Sequence, residues 1–318
     1  MQKLALPFAL ALVLAACGGG QEPAKPVATP EPAKPAPAPA PAPVQIPPAV
    51  AVPAADANWD ILQGQVLSGH WRSEANKARD AYRHPRETLA FFGLKPGQTV
   101  IEITPGGGWY TEILAPLLKG QGKLVAVVMD PTSAEKEGTQ KYLAKGNAAF
   151  KDKLAADADR YGEVEVREFA MTAPNFGEPG SADLVLTFRN VHNFMMWKND
   201  AQMFKAAFDV LKPGGVLGVT DHRAAPGADL EKIKESGYIP EEYVTKLATD
   251  AGFTLLGKSE INANAKDTKD YEKGVWTLPP SLALGDKDKD KYVAIGESDR
   301  MTLKFVKPEP RPASAAKQ

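Results

Sequence analysis

The chain has 318 residues, and its 38 Lys and Arg nearly balance 39 Asp and Glu, for a formal net charge of −1. No basic stripe is left to neutralise phosphates, so nucleic acid is not an expected partner. The single cysteine, Cys17, excludes an internal disulfide and a thiolate metal cluster.

Residues 1–17 place Lys3 before an apolar run from Leu4 to Leu14 and end in Leu14-Ala15-Ala16-Cys17. The run is too short to cross a bilayer as a helix, and its flanks suit a secretory signal. The last four residues resemble the lipobox of bacterial lipoproteins. That resemblance implies an acylated Cys17 at the mature N-terminus and a membrane reached only through this lipid. Gly18 rather than Asp follows, which by analogy favours the outer membrane and a periplasmic body. Ordinary cleavage near Ala16, with Cys17 incidental, is the alternative. Residues 18–55 are dominated by Pro and Ala, with 12 of the 28 prolines between Pro23 and Pro53. Such a segment buries too little apolar surface to offset chain entropy. An extended, partly polyproline II tether is expected, on the order of 100 Å if fully drawn out. Residues 56–308 suffice for one α/β domain with a sizeable core, and residues 309–318 read as a disordered tail.

Within that domain, residues 59–79 and 85–92 read as helices, the second with Pro85 in its first turn and Gly93 at its end. A strand at 100–103 leads through a glycine-rich turn into a helix ending near Lys119-Gly120. Residues 124–129 form the second strand, closed by Asp130-Pro131. A helical zone at 136–154 is interrupted by Gly138 and Gly146. Residues 164–169 alternate as strand three, 182–188 form a central strand, and 201–211 an apolar-faced helix ended by Lys212-Pro213-Gly214-Gly215. Strand five is 216–220, a helix spans 240–251, strand six starts at 253–256, and 300–306 alternates as the last strand. Residues 274–280 read as a lid over substrate or an ordinary insertion, and the sign-alternating run 285–291 as a solvated loop. Strands regularly alternating with helices predict a doubly wound, mostly parallel sheet whose ligands sit beyond the strand C-termini.

The turn Thr104-Pro105-Gly106-Gly107-Gly108 lets backbone N–H groups approach a ligand closely before a helix begins. The dinucleotide fingerprint G-x-G-x-x-G fits at Gly106 and Gly108 but meets Thr111 at its third glycine, which disfavours NAD, and no P-loop lysine follows. Glu102 to Gly108, Asp130 after strand two, Asp183 in strand four, Leu211 to Gly215, and Ala251-Gly252-Phe253 resemble, in order, the motifs of class I S-adenosylmethionine-dependent methyltransferases. The resemblance covers about residues 85–308. It implies a Rossmann-like methyltransferase fold with seven strands, the last antiparallel, and S-adenosylmethionine as cofactor. Glu102, Thr104, Gly106, Gly108 and Asp130 would hold that cofactor, Asp130 through the ribose hydroxyls. Two departures stand out. Thr104 replaces the family's first glycine, and Phe169-Ala170-Met171-Thr172 lacks the acid that binds the adenine amino group, leaving backbone groups or the Met171 side chain.

Glu102 sits inside an apolar strand and, if buried, needs hydrogen-bond partners, either nearby N–H groups or the cofactor's amino group. Asp130-Pro131 could equally be a simple turn. Arg189-Asn190-Val191-His192-Asn193 follows strand four and Asp221-His222-Arg223 follows strand five, on the same predicted rim. Under the resemblance His192, or else His222 beside Asp221, takes a proton from an acceptor O–H or N–H. Arg189 would contact the cofactor or, with Asn190 and Arg223, orient the acceptor, and His84 would join them at the substrate. Three histidines and an aspartate also permit a metal, but their spacing matches no recognised ligand pattern, so none is expected. Trp109 and Tyr110 pack in the core by default. The expected acceptor is a small molecule or an envelope component. An exported chain meets no obvious supply of S-adenosylmethionine, so a second reading stays open: a fold that has lost transfer chemistry and binds another small ligand or a wall component. An NAD-dependent oxidoreductase is a third.

Overall fold

A computed structural model describes residues 57–310. The expected signal ending in Cys17, the expected tether at 18–55 and residues 311–318 of the expected tail lie outside the described residues.

The first helical stretch is broken, where one helix over 59–79 was expected. α1 (Ala57–Leu67) is followed by two single turns, α2 (Glu74–Lys77) and α3 (Asp80–Arg83). Arg72 is the cause: its buried guanidinium takes the Leu67 carbonyl at the end of α1 (2.9 Å) and pairs with Asp80 (2.6 Å). The Ser73 hydroxyl then restarts the chain by accepting from the Asn76 amide. α4 (Pro85–Phe92) starts on its proline and stops at Gly93, whose φ of 86° no side-chain-bearing residue adopts cheaply.

Strands and helices then alternate: β1 (Thr99–Ile103), α5 (Thr111–Leu118), β2 (Lys123–Met129), α6 (Glu137–Ala156), α7 (Ala158–Tyr161), β3 (Glu165–Phe169) and β4 (Ala182–Phe188). After them come α8 (Val191–Met196), α9 (Asp200–Val210), β5 (Leu211–His222), α10 (Leu230–Ile233), α11 (Glu241–Asp250), β6 (Thr254–Ser259), α12 (Lys289–Ile295) and β7 (Arg300–Val306). The seven strands form one sheet in the order β3-β2-β1-β4-β5-β7-β6, parallel except that β7 runs antiparallel to both β5 and β6. This is the doubly wound, Rossmann-like methyltransferase architecture that the resemblance implied.

Both faces of the sheet are covered, and the period of two decides which side chain goes where. Ile101, Ile103, Val125 and Val127 pack with Phe194, Phe204 and Val244 from α8, α9 and α11. Val100, Leu124, Leu184 and Leu186 pack with Phe92, Ile113 and Leu117 from α4 and α5. Each such side chain, removed from water, contributes about 1.5–3 kcal/mol. The same parity turns Glu102 toward α5.

Three local expectations change. Gly138 and Gly146 do not interrupt α6, which runs unbroken for 20 residues. Two interior glycines cost such a helix about 1 kcal/mol each, and flanking turns carry it through. The 212–215 turn is also strand: β5 begins at Leu211 opposite Ala182 and regains register at Val216 opposite Leu184. The intervening bulge is fixed by hydrogen bonds from the Gly214 amide to the Lys307 carbonyl (2.8 Å) and from the Lys307 amide to the Gly215 carbonyl (2.9 Å). Finally, the alternating charges at 285–291 lead into α12, which starts at Lys289. Among the described residues no helix is long and apolar enough to cross a membrane.

Candidate active site

The C-terminal ends of β1, β2, β4 and β5 meet along one sheet edge, and the turn after β1 forms its centre. Thr104, Gly106 and Gly108 have φ of 47°, 59° and 74°. For a threonine that conformation costs on the order of 1–2 kcal/mol, and the Thr104 Oγ1 is buried without a partner. No atom lies within 4 Å of a Cβ placed on Gly106 or Gly107, whereas one on Gly108 would stand 3.1 Å from the Phe150 ring. Gly106 and Gly107 thus leave backbone open to a ligand, and Gly108 lets α6 close against the turn. Lys153 on α6 clamps the same turn, donating to the Gly107 carbonyl (2.9 Å) and pairing with Glu112 (2.6 Å).

Above the turn is a cavity of about 150 Å³ bounded by Thr104, Gly106, Gly146, Asn147, Asn190 and Asn193. Gly146, read from sequence as a helix breaker, clears room here. The volume is below the ~300 Å³ at which small-molecule pockets usually begin, and exposed Tyr142 forms part of its rim.

Glu102 lies beneath this cavity rather than in its lining. Its carboxyl accepts a hydrogen bond from the Thr111 hydroxyl (2.6 Å) and is 2% exposed. Burial pushes its pKa up to about 7, held back by the Thr111 bond and the charge of Lys153. The Asp130 carboxylate accepts from the Thr132 amide (2.8 Å) and hydroxyl (2.8 and 2.9 Å), capping a short turn. A carboxylate has about four acceptor positions, so at least one on Oδ2 stays available. Both backbone groups of Met171 are committed, its amide to Ser133 Oγ (3.0 Å) and its carbonyl to Asn199 (2.9 Å). The Met171 amide is thus spent within the fold, which leaves the Met171 side chain and the backbone of neighbouring residues such as Thr172 for adenine. Asn190 ties β4 to β1 by donating to the Ile103 carbonyl (3.0 Å).

Beside the cavity, α8 and the end of β5 build a buried polar pair. His192 Nδ1 donates to Asp221 Oδ1 (2.8 Å), and the His192 and His222 amides also donate to that carboxylate (3.1 and 2.7 Å). An ionised Asp221 only accepts, so His192 carries its proton on Nδ1, and its Nε2 makes no hydrogen bond among the described residues. This is the tautomer of a proton acceptor. His222 is placed differently. Its Nε2 accepts from Arg189 Nε (3.3 Å), so its Nδ1 donates to Ser298. Burial first, then the nearby Arg189, hold the His222 pKa well below 6.5. The candidate ligand atoms of His192, Asp221 and His222 lie within 4.8 Å of one another, but the Arg189 guanidinium already occupies His222 Nε2, and its charge disfavours a cation there.

The remaining residues separate. Arg223, expected to orient an acceptor, is committed to Glu260 through two bonds (2.8 and 2.6 Å) and to Asp299 through two more (3.1 and 2.9 Å). It straps the edge of the sheet. His84 has φ of 39°, and borders a second cavity with Asn262 and Arg300 rather than the one above the glycine turn. Trp109 and Tyr110 are core: Tyr110 stacks on Phe188 at 3.5 Å, and Arg83 covers Trp109 at 4.7 Å. The 274–280 segment brings Trp276 to 6.2 Å from the His192 ring, so it walls the site. Glu297 and its arginines were missed by sequence reasoning; the one available sign was a dense charge cluster, Glu297-Ser298-Asp299-Arg300, heading an apolar strand.

No protein-family profile matches the chain. It is 40% identical over 157 residues to ribosomal RNA small subunit methyltransferase H 1 of Agathobacter rectalis, which takes in 49% of this chain and 39% of that protein. The chain thus spans about two-fifths of the length of the curated relative it matches. Among solved structures, it is similar to a SAM-dependent methyltransferase from Aquifex aeolicus (15% identity, TM-score 0.47, 77% of this chain and 98% of the other). It is also similar to phosphoethanolamine N-methyltransferase 2 from Haemonchus contortus in complex with S-adenosyl-L-methionine (18% identity, TM-score 0.46, 72% and 53%).

Proposed function

We propose that this chain is an S-adenosylmethionine-dependent methyltransferase acting on an oxygen or nitrogen nucleophile, exported and anchored to the envelope through a lipid on Cys17. The observation that carries the reading is the His192–Asp221 pair, 2.8 Å apart, standing on the same sheet edge as the open glycine turn. The turn fits the donor: bare backbone at Gly106 and Gly107, an unpartnered Thr104 hydroxyl, and a remaining acceptor position on Asp130 suit a polar, hydroxyl-bearing ligand. When bound, S-adenosylmethionine supplies an electrophilic methyl on sulfur, which keeps the bonding pair as the methyl leaves. His192 Nε2 accepts the proton of the acceptor O–H or N–H while Asp221 balances the imidazolium that results. Asn190 fixes the floor between the two parts, and Trp276 shields the imidazole from water.

A second reading has its own observation. The cavity is about 150 Å³ and the Asp130 carboxylate already caps Thr132, which suits a smaller ligand held by a protein without transfer activity. Isothermal titration with S-adenosylmethionine, S-adenosylhomocysteine and NAD separates them. The transferase reading expects saturable one-to-one binding of the first two and none of NAD. No heat at millimolar S-adenosylhomocysteine, from protein shown to be folded, would end it. For the anchor, palmitate incorporation is expected in the wild type and lost in Cys17→Ser; equal labelling would refute it.

A further inference from the structure

Three arginines converge on one carboxylate, and a fourth stands beside them. Glu297 Oε1 accepts from Arg79 Nε (2.6 Å), and Oε2 from Arg83 Nε (2.9 Å) and Arg300 Nη1 (3.0 Å). Arg189 lies near enough for its charge to act on both Arg83 and Glu297. The Arg83, Arg300 and Glu297 side chains are only 5%, 3% and 4% exposed. Asp221, the other carboxylate whose charge reaches Arg189, is already engaged by His192 and two backbone amides. Positive charge therefore exceeds negative in a dry place, which is costly unless another anion arrives. Burial and mutual repulsion accordingly lower Arg83 to about 9 and Arg189 to about 10.

The cluster also leaves donors unused. Arg83 Nη2 and Arg300 Nε are buried without partners, as is His84 Nδ1, and the Nη atoms of Arg189 make no hydrogen bond among the described residues. Next to them is a cavity of about 200 Å³ lined by His84, Asn262, Lys266, Glu297, Ser298 and Arg300. Ser298 links it to His222, and His222 to Arg189. Arg300 pairs with His222 across β7 and β5, so the cluster shares the sheet edge with His192.

We propose that the cluster of Arg83, Arg189 and Arg300, with its adjoining cavity, receives an anionic group, a carboxylate or a phosphate, carried by the methyl acceptor. Calling the ligand an acceptor rests on the transferase reading; the anion site itself does not. Planar guanidinium forks pair with such oxygens through two parallel bonds, and the cluster stands on the same sheet edge as His192.

The test is calorimetric titration of the full chain with inorganic phosphate and, separately, acetate, at ionic strength held constant with chloride. Arg189→Gln is the variant of choice, because Arg189 bonds no carboxylate and its loss orphans none. Expected is saturable binding of at least one anion by the wild type, weakened tenfold or more in Arg189→Gln and partly restored in Arg189→Lys; the preferred anion identifies the group. No saturable binding of either anion, or equal affinity in wild type and Arg189→Gln, overturns the proposal. S-adenosylhomocysteine titrated into the same preparations keeps the two claims apart. Its binding without anion binding removes this inference alone, and anion binding without it upholds the site and removes the transferase reading.

Discussion

Replacing Glu102 with glutamine should change how stability depends on pH more than it changes stability itself. The buried carboxyl has a native pKa of about 7 against an ordinary 4.5, with burial the largest cause. A raised native pKa means that the folded protein holds a proton that the unfolded chain releases. Glu102 therefore leaves the fold most stable below pH 4.5 and weakens it as pH rises toward 7. At about 1.36 kcal/mol per pH unit, the window from 4.5 to 7 removes about 3 kcal/mol. Glutamine cannot ionise, and its Oε1 still accepts the Thr111 hydroxyl; its amide hydrogens, if unpartnered, cost about 1–3 kcal/mol at every pH. The diagnostic quantity is thus the difference between variant and wild type measured at two pH values, in which other titrating groups cancel. Urea unfolding at pH 5 and pH 8 should show Glu102→Gln gaining about 3 kcal/mol on the wild type between them, or about 6–12 °C in melting temperature for a domain of this size. A constant difference from pH 5 to pH 8 would refute the reasoning, because it would mean that Glu102 ionises in the fold as freely as in water.

His222 should show the opposite slope. Its pKa is held well below 6.5 by burial, so native stability falls as pH drops below 6.5, by up to about 1.4 kcal/mol per pH unit; urea unfolding of His222→Gln should lose that acid-side slope. His192→Ala should slow release of S-adenosylhomocysteine, with an envelope extract as acceptor source, by about 10²–10⁴-fold, while calorimetric affinity for S-adenosylhomocysteine stays within about twofold; an unchanged rate would dismiss the base. Gly218→Ala places a Cβ 2.6 Å from the Phe92 ring and 2.8 Å from Leu186, and should cost about 1–3 kcal/mol in denaturant unfolding through overpacking.

The sheet was legible because its signals are local and repetitive. Leu124 to Met129 is a continuous apolar run, and Val100 to Ile103 and Ala182 to Phe188 are apolar apart from Glu102, Asp183 and Thr187, as strands largely buried on both faces tend to be. What misled were residues whose role depends on a distant partner. Gly138 and Gly146 look like breaks in any helix, and only the cavity beneath α6 gives Gly146 another purpose. Residues 59–79 have a helical pattern, and Asp80 is what draws Arg72 inward and ends it. In the site, His192 and Asp221 were both identifiable as candidates after strand ends, but their 2.8 Å pairing needs β4 and β5 to be neighbours. Arg223 carried the same signal and proved to be a strap to Glu260 and Asp299. Glu297 was invisible for the same reason, since its partners Arg79 and Arg83 lie more than 200 positions earlier in the chain.

The most direct measurement is a crystal structure of the chain grown with S-adenosylhomocysteine. Predicted is the adenosyl group in the cavity bounded by Gly106, Asn147 and Asn190, with a ribose hydroxyl on Asp130 and the sulfur toward the His192 side of the sheet edge. A ligand bound elsewhere, or an unchanged cavity at saturating S-adenosylhomocysteine, would contradict it.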